Sequence, residues 1–327
     1  MSLKQNLPTK FAALACVWAS ILFVSANGRA QGWEVQVGAQ SQDKGSQMLA
    51  FLPNELWIHA GDSVAFMIAT DEPHTVTFLT PKQIRLPFAV GCPGTTPSGG
   101  TENGTGCVNS GVLSNGQGYN VTFPTVGNYK LVCLVHANMT AMIHVLDPSA
   151  ELPHDQRFYD AEARDMQKDL MSSAGHMMDM GDDSSPTEVT AGVGGIVATG
   201  GGSNTLSVMR FMHPTRIVHV GDTVDWTNDD PVTPHTITFG TEPANTMPPS
   251  ANVTVDADGA RHATVSSPTG SVHSGFIVAA PQDQIGAAQP LPGVTRFRVT
   301  FTKPGLFRYI CALHDTLGMV GEVIVLP

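Results

Sequence analysis

The sequence predicts an all-β protein: two tandem β-sandwich domains joined by a partly helical linker. One observation behind this is an internal repeat. Leu56-Trp-Ile-His-Ala-Gly61-Asp62-Ser-Val64 matches Arg216-Ile-Val-His-Val-Gly221-Asp222-Thr-Val224, and Asn109-Ser-Gly111-Val matches His273-Ser-Gly275-Phe. Val121-Thr-Phe-Pro-Thr-Val-Gly127-Asn-Tyr129 then matches Val299-Thr-Phe-Thr-Lys-Pro-Gly305-Leu-Phe307, in the same order. A second observation is patterning. Stretches such as Asn120–Phe123 and Arg296–Phe301 alternate apolar with polar residues, as half-buried strands do, with Gly-Asp and Pro-x-Gly turn signals between them. The third is composition. Hydrophobic residues make up 42% of the 327 and charged residues only 14%, while Gly (33) and Pro (23) are abundant. That suits a turn-rich β-protein with real cores and excludes a disordered chain.

Taken in order, residues 1–30 read as a secretory signal. Lys4 and Lys10 precede an apolar run, Phe11 to Val24, and small-residue cleavage sites follow at Val24-Ser25-Ala26 or Gly28-Arg29-Ala30. The run is too short for a membrane span, so an exported protein, periplasmic or extracellular, is expected, with no stable span in the mature chain. Cys16 would leave with the signal. The first domain is placed at 31–148, closing with a strand over Met142–Leu146, and the second at 191–327, closing with Gly321–Leu326. Between them, residues 149–190 form the linker. Residues 154–172 contain strong helix formers and no Gly or Pro, so a helix is expected there. Gly175 to Pro186 reads as flexible, and Gly192 to Ser203 as a loop or an irregular first strand.

Loss of the signal removes Lys4, Lys10 and Arg29 and no acid, taking the formal charge from −11 to −14. Such a chain is no partner for nucleic acid; a redox protein with a basic patch suits it better. Four cysteines remain. Cys92 and Cys107 bracket a Gly/Pro/Thr/Ser/Asn loop that a disulfide would staple. Cys133 and Cys311 stand in matching phrases and read as metal ligands; pairing them with each other would destroy both phrases.

Those phrases carry the chemistry. Cys133-Leu-Val-His136-Ala-Asn-Met139 recurs as Cys311-Ala-Leu-His314-Asp-Thr-Leu-Gly-Met319. Upstream of each stands a further histidine, in Asp71-Glu-Pro-His74-Thr-Val-Thr-Phe78 and in Asp230-Pro-Val-Thr-Pro-His235-Thr-Ile-Thr-Phe239. One Cys, two His and one Met form the ligand set of a blue (type 1) copper site, a trigonal His₂Cys plane with a weak axial Met. Thiolate and thioether favour Cu(I) and imidazole suits either state, so such a site changes oxidation state with little rearrangement.

On these motifs both halves resemble the cupredoxins, the family of plastocyanin, azurin and amicyanin, over most of residues 33–147 and 192–327. The second loop has the plastocyanin-like spacing Cys-x₂-His-x₄-Met and the first the shorter amicyanin-like Cys-x₂-His-x₂-Met. The resemblance implies an eight-stranded Greek-key sandwich in each half, with copper near one end and electron exchange through an exposed edge of the second His. The shorter first loop leaves Met142 as a rival to Met139 for the axial position; Met142 is expected in the core instead.

Other residues read more plainly. Met166, Met171, His176, Met177, Met178 and Met180 cluster in the linker and are taken as a helix face plus tail, with a transient copper site as the alternative. His59 and His219 occupy matching positions before Gly-Asp and are not expected to bind metal. His273, in place of Asn109, reads as surface variation, and His144 and His262 as structural or exposed. Two-domain nitrite reductases and small laccases also repeat this fold, but they bring His-x-His pairs and a His beside the ligand Cys. The sequence has neither. The expected function is one-electron transfer through two type 1 coppers, with no enzymatic activity. Copper storage or delivery is the first alternative and copper catalysis the more distant one.

Overall fold

The computed structural model describes residues 31–85, 92, 99–180, 185–284 and 292–327; the expected signal segment lies outside them. The first copy runs β1 (Gly32–Gln40), β2 (Ser46–Leu52), β3 (Glu55–His59), β4 (Ser63–Ile68), β5 (Thr77–Phe78), β6 (Gly99–Thr101), β7 (Val108–Asn109), β8 (Gly118–Thr122), β9 (Gly127–Val132) and β10 (Thr140–Leu146). Helix α1 (Gln156–Met180) follows. The second copy runs β11 (Glu188–Ala198), β12 (Ser203–Met212), β13 (Thr215–His219), β14 (Thr223–Asp229), β15 (Thr238–Phe239), β16 (Thr254–Val255), β17 (Arg261–Val265), β18 (Val272–His273), β19 (Arg296–Phe301), β20 (Gly305–Ile310) and β21 (Val320–Leu326).

Each copy is a β-sandwich. The sheet β3-β10-β9-β5-β7 closes the first core, and β13-β21-β20-β15-β18 closes the second. The opposite layer is common to both copies, one sheet in the order β16-β17-β19-β14-β11-β12-β2-β1-β4-β8-β6. The copies join where β12 pairs antiparallel with β2, Thr205 opposite Leu49 and Val208 opposite Ser46. Sequence patterning sets the faces. β10 buries Ala141, Ile143 and Val145 on the core side, and β19 buries Phe297, Val299 and Phe301. The repeated Gly-Asp turns follow from backbone chemistry. Gly61 and Gly221 take φ of +99° and +98°, which disfavours a side chain. Asp62 Oδ2 accepts the amides of His59 at 3.0 Å and the Trp33 indole at 2.9 Å, and Asp222 Oδ2 accepts the amide of His219 at 2.7 Å.

Helix α1 explains why the joining strands carry no alternation. Every residue of β2 is buried: Leu49 and Phe51 face the first sandwich core, while Met48, Ala50 and Leu52 pack beneath the helix. Strand β12 divides the same way, Met209 and Phe211 into the second core, Leu206 and Val208 beneath the helix. Strands covered on both faces read as continuous apolar runs. The helix presents Tyr159 to the first core and Ala163, Met166, Leu170, Ala174 and Met177 to the joint, a stripe at 3.6-residue spacing. Asp155 Oδ1 caps its first turn through the amide of Phe158 at 3.1 Å.

This corrects the expectation of a flexible segment from Gly175. The helix continues through Gly175 to Met180 because its apolar stripe extends to Met177. Three of the linker methionines are packing groups; His176 and Met178 are exposed. Among the described residues no helix is long and apolar enough to cross a membrane. Cys92 and Cys107 form a disulfide with Cα atoms 5.9 Å apart, and Cys133 and Cys311 are free thiols.

Candidate metal centres

The candidate ligand histidine of each copy, His74 or His235, lies just before a short strand, β5 or β15, and the candidate ligand cysteine follows the neighbouring strand, β9 or β20. The pairing of these strands brings the two segments together. In the first copy His74 Nδ1 lies 3.8 Å from Cys133 Sγ, Cys133 Sγ 3.9 Å from His136 Nδ1, and the two Nδ1 atoms 3.2 Å apart. In the second, Cys311 Sγ lies 3.8 Å from His235 Nδ1 and 3.3 Å from His314 Nδ1, with 3.1 Å between the nitrogens. A metal at the centre of such a plane, bonded at about 2.0 Å to nitrogen and about 2.3 Å to sulfur, would set N···N near ~3.5 Å and N···S near ~3.7 Å. Both groups fit. His74, Cys133, His235 and Cys311 are fully enclosed, so the three soft and borderline donors of each group converge away from water.

The loops close identically despite their different lengths. The Cys133 amide donates to the Met139 carbonyl at 3.0 Å, and the Cys311 amide to the Met319 carbonyl at 3.0 Å. Both methionines are fully buried in the same clusters as their cysteines. Met142 is half-buried on β10, on the face opposite Ala141 and Ile143, so it is not a core residue as expected.

Several supporting residues escaped the sequence reading. The amides of Thr75 and Thr236 donate to Cys133 Sγ and Cys311 Sγ at 3.4 and 3.3 Å. Their hydroxyls accept the amides of Leu134 and Ala312, each at 2.8 Å. The signal was present, since a threonine follows each ligand histidine. Gly38 and Gly192 sit at bulges in β1 and β11 with φ of +71° and +81°. A Cβ on Gly38 would lie 2.8 Å from His74 Nε2, and one on Gly192 would run into the His235 ring. A lone glycine inside a strand pattern marks such a close approach.

His273 is buried, which overturns its reading as surface variation. Its ring lies 2.8 Å from the Thr238 hydroxyl and 2.9 Å from the Thr246 carbonyl. Asn109 holds the equivalent place, accepting from Thr77 at 2.9 Å and donating to the Cys92 carbonyl at 2.8 Å. His59 contacts the Ala150 carbonyl at 2.9 Å and His219 is exposed. His144 stacks on Trp57, and His262 meets Asp256 and Thr300.

The second histidines depart most from expectation. Their outer edges are not open to solvent: His136 and His314 are each 4% exposed. They face one another across the junction of the two sandwiches, with Glu72 between them. Glu72 Oε2 lies 3.4 Å from His136 Nε2 and Glu72 Oε1 3.7 Å from His314 Nε2. Burial would raise the Glu72 carboxyl, but His314, His136 and His74 outweigh it and hold it at about 2. Burial would likewise lower His136, yet Cys133 and Glu72 lift it to about 9. His314, which Glu72 faces from farther away, stays below its ordinary value through burial. Burial raises the Cys133 thiol, and its two histidine partners more than reverse this, favouring the thiolate that a metal needs.

With this geometry established, comparison with known proteins decides the family. The profile of copper binding proteins of the plastocyanin/azurin family matches residues 37–146 and again 197–326. The chain belongs to the plastocyanin/azurin family. It carries that cupredoxin unit twice, as a copper protein of two tandem domains. No curated protein matches it by sequence. Among solved structures it is similar to a reduced amicyanin variant at 18% identity, covering 35% of this chain and 82% of that one with a TM-score of 0.25. Amicyanin from Paracoccus versutus aligns at 19% identity, 37% and 86% coverage and a TM-score of 0.25. The assignment rests on the twofold family match, to which these superpositions add no weight.

Proposed function

We propose that each domain holds one type 1 copper and that the protein is an exported one-electron carrier. His74, Cys133, His136 and Met139 would hold the first copper, and His235, Cys311, His314 and Met319 the second. Copper bound there supplies a reversible one-electron couple. The chain's own residues supply the rest. Coordination through Nδ1 leaves the proton of each ring on Nε2, and the Thr75 and Thr236 amides fix the sulfur positions. Enclosure excludes water, which limits rearrangement between oxidation states.

One observation carries this reading: among the described residues, a buried Cys/His/His group with trigonal spacing occurs once in each domain. Copper stoichiometry with visible and EPR spectra tests it on the wild type, Cys133→Ser and Cys311→Ser. The expected result is two coppers, with about half the intense thiolate-to-copper absorption lost in each variant. Copper uptake without that band would sink the type 1 assignment. A basic redox protein is the proposed partner, given the acidic charge of the chain without its signal. Storage or delivery of copper draws its support from the linker methionines, of which Met166, Met171 and Met177 are engaged in packing. Transfer of copper to an acceptor, rather than of electrons alone, would favour it.

A further inference from the structure

The junction of the two sandwiches poses a problem that Glu72 resolves. A carboxylate 6% exposed is costly unless it is paired, and among the described residues no lysine or arginine reaches it. Its two oxygens are divided between two rings instead, one on His136 Nε2 and the other on His314 Nε2. The walls of the junction are otherwise largely apolar. Val135, Val232, Pro234, Phe276, Leu313 and Leu317 line a cavity of about 220 Å³ there. The two rings are those assigned to the two metal sites, and their Nδ1 atoms face inward to the sulfurs. Each Nε2–H is therefore free to donate outward, and a ligand histidine characteristically gives that proton to a carboxylate. Here one carboxylate lies within ion-pair distance of the Nε2 atoms of two such histidines, one from each domain.

The arrangement is asymmetric for a physical reason. The residue two places before His74 is Glu72, whereas two places before His235 stands Thr233, whose hydroxyl lies 3.0 Å from that of Ser207. A carboxylate at Thr233 would add a further like charge beside Glu72 and the buried Asp230, which lies 4.0 Å from His235 Nε2. One acid placed between the two rings meets both.

We propose that Glu72 links the two sites into an intramolecular redox pair, electrons exchanging within one molecule along His136–Glu72–His314. The proposal rests on copper occupying both sites. The step moves one electron: one site is oxidised as the other is reduced, no bond is made or broken, and both Nε2 protons stay in place. An external one-electron donor is needed only to deliver the first electron. Glu72 touches no metal and acts through the two rings as a positioning residue. The closed edges of His136 and His314 then serve the partner site rather than a docked protein.

The test uses the full chain with both coppers loaded. A radiolytic pulse generates a small organic radical that delivers less than one electron per molecule, and freeze-quenched EPR follows the two sites separately. If their signals coincide, the same pulse is applied in a Met319→Leu background, where the changed axial ligand separates them. The expected result is a redistribution phase whose rate is independent of protein concentration. It should slow at least tenfold in Glu72→Ala and less in Glu72→Gln, whose single amide oxygen can accept from one Nε2–H while its NH2 cannot accept from the other. An equal rate in all three proteins overturns the proposal, as does a wild-type phase that is absent or scales with protein concentration. Copper content and blue absorption measured beforehand separate this outcome from failure of the type 1 assignment, because a protein lacking either never reaches the kinetic comparison.

Discussion

The two metal sites differ in sequence where they differ least in space. The first loop places Met139 three residues after His136; the second places Met319 five after His314 and spends the extra length on a 3-10 turn, Asp315–Leu317, ended by Gly318 at φ +90°. The shorter loop turns through Asn138 at φ +58°. Both return to the same amide-to-carbonyl bond between cysteine and methionine. The surroundings differ more. Asp71, near His74, is partly exposed and pairs with Lys44 at 2.7 Å and Asn115 at 2.8 Å. Asp230, near His235, is buried and accepts the amides of Val232 and Thr233, each at 2.9 Å. Only the first domain supplies the carboxylate that faces both sites. Loop length is thus a local variation absorbed by the loop, whereas the asymmetry that matters sits at the junction.

The sharpest way to break the resemblance between the sites is through their glycines. Gly38→Ala should weaken copper at the first site and Gly192→Ala at the second, each at least tenfold and each sparing the other. Chelator competition, monitored by the thiolate absorption, checks this. The joint comes next. Leu170→Ala opens a cavity under the helix and should cost about 2–5 kcal/mol. Because Leu170 packs on strands of both copies, unfolding followed by calorimetry should lose its single transition and divide into two.

Variants of the proposed methionine ligands sharpen the comparison further. Met139→Leu and Met319→Leu should each shift the midpoint potential of its own site by about 59 mV or more, a tenfold change for a one-electron couple, in spectroelectrochemical titration. The smallest effect concerns the copper-free protein and pH. Glu72 is held at about 2, below its ordinary 4.5; a depressed carboxyl stabilises above the unfolded value and loses this as pH falls through 2. His136 is raised from 6.5 to about 9; a raised imidazole stabilises below 6.5 and loses this as pH rises through 9. The melting temperature of the wild type over Glu72→Gln should therefore peak between pH 4.5 and 6.5, by no more than a few degrees. A difference flat across pH 2 to 9 would contradict the pairing.

Much of this was legible in the residues, and for a physical reason. Ligand chemistry is local: Cys, His and Met must share one loop, so the phrase survives as a readable string and its recurrence exposes the repeat. Alternation fixed the faces of β8 and β19 because those strands are covered on one side only; it was not applied to β10, and Met142 was misplaced in the core. The reading faltered where cover came from elsewhere. Strand β2 lost its alternation beneath α1, and the helix outran its expected end because its stripe continued past Gly175. His273 was misread because the partners that bury it, Thr238 and Thr246, are distant in sequence.

By itself, then, the sequence determined the two sandwiches, the His, Cys and Met side chains that could hold a metal in each domain and the cysteines left for a disulfide. The tertiary structure alone decided that the sandwiches share a sheet, that the second histidines are closed to solvent, and that Glu72 stands between them. Those features depend on pairing between β2 and β12, more than 150 residues apart in the chain, and contacts across such a distance leave no periodicity or spacing for a sequence to display.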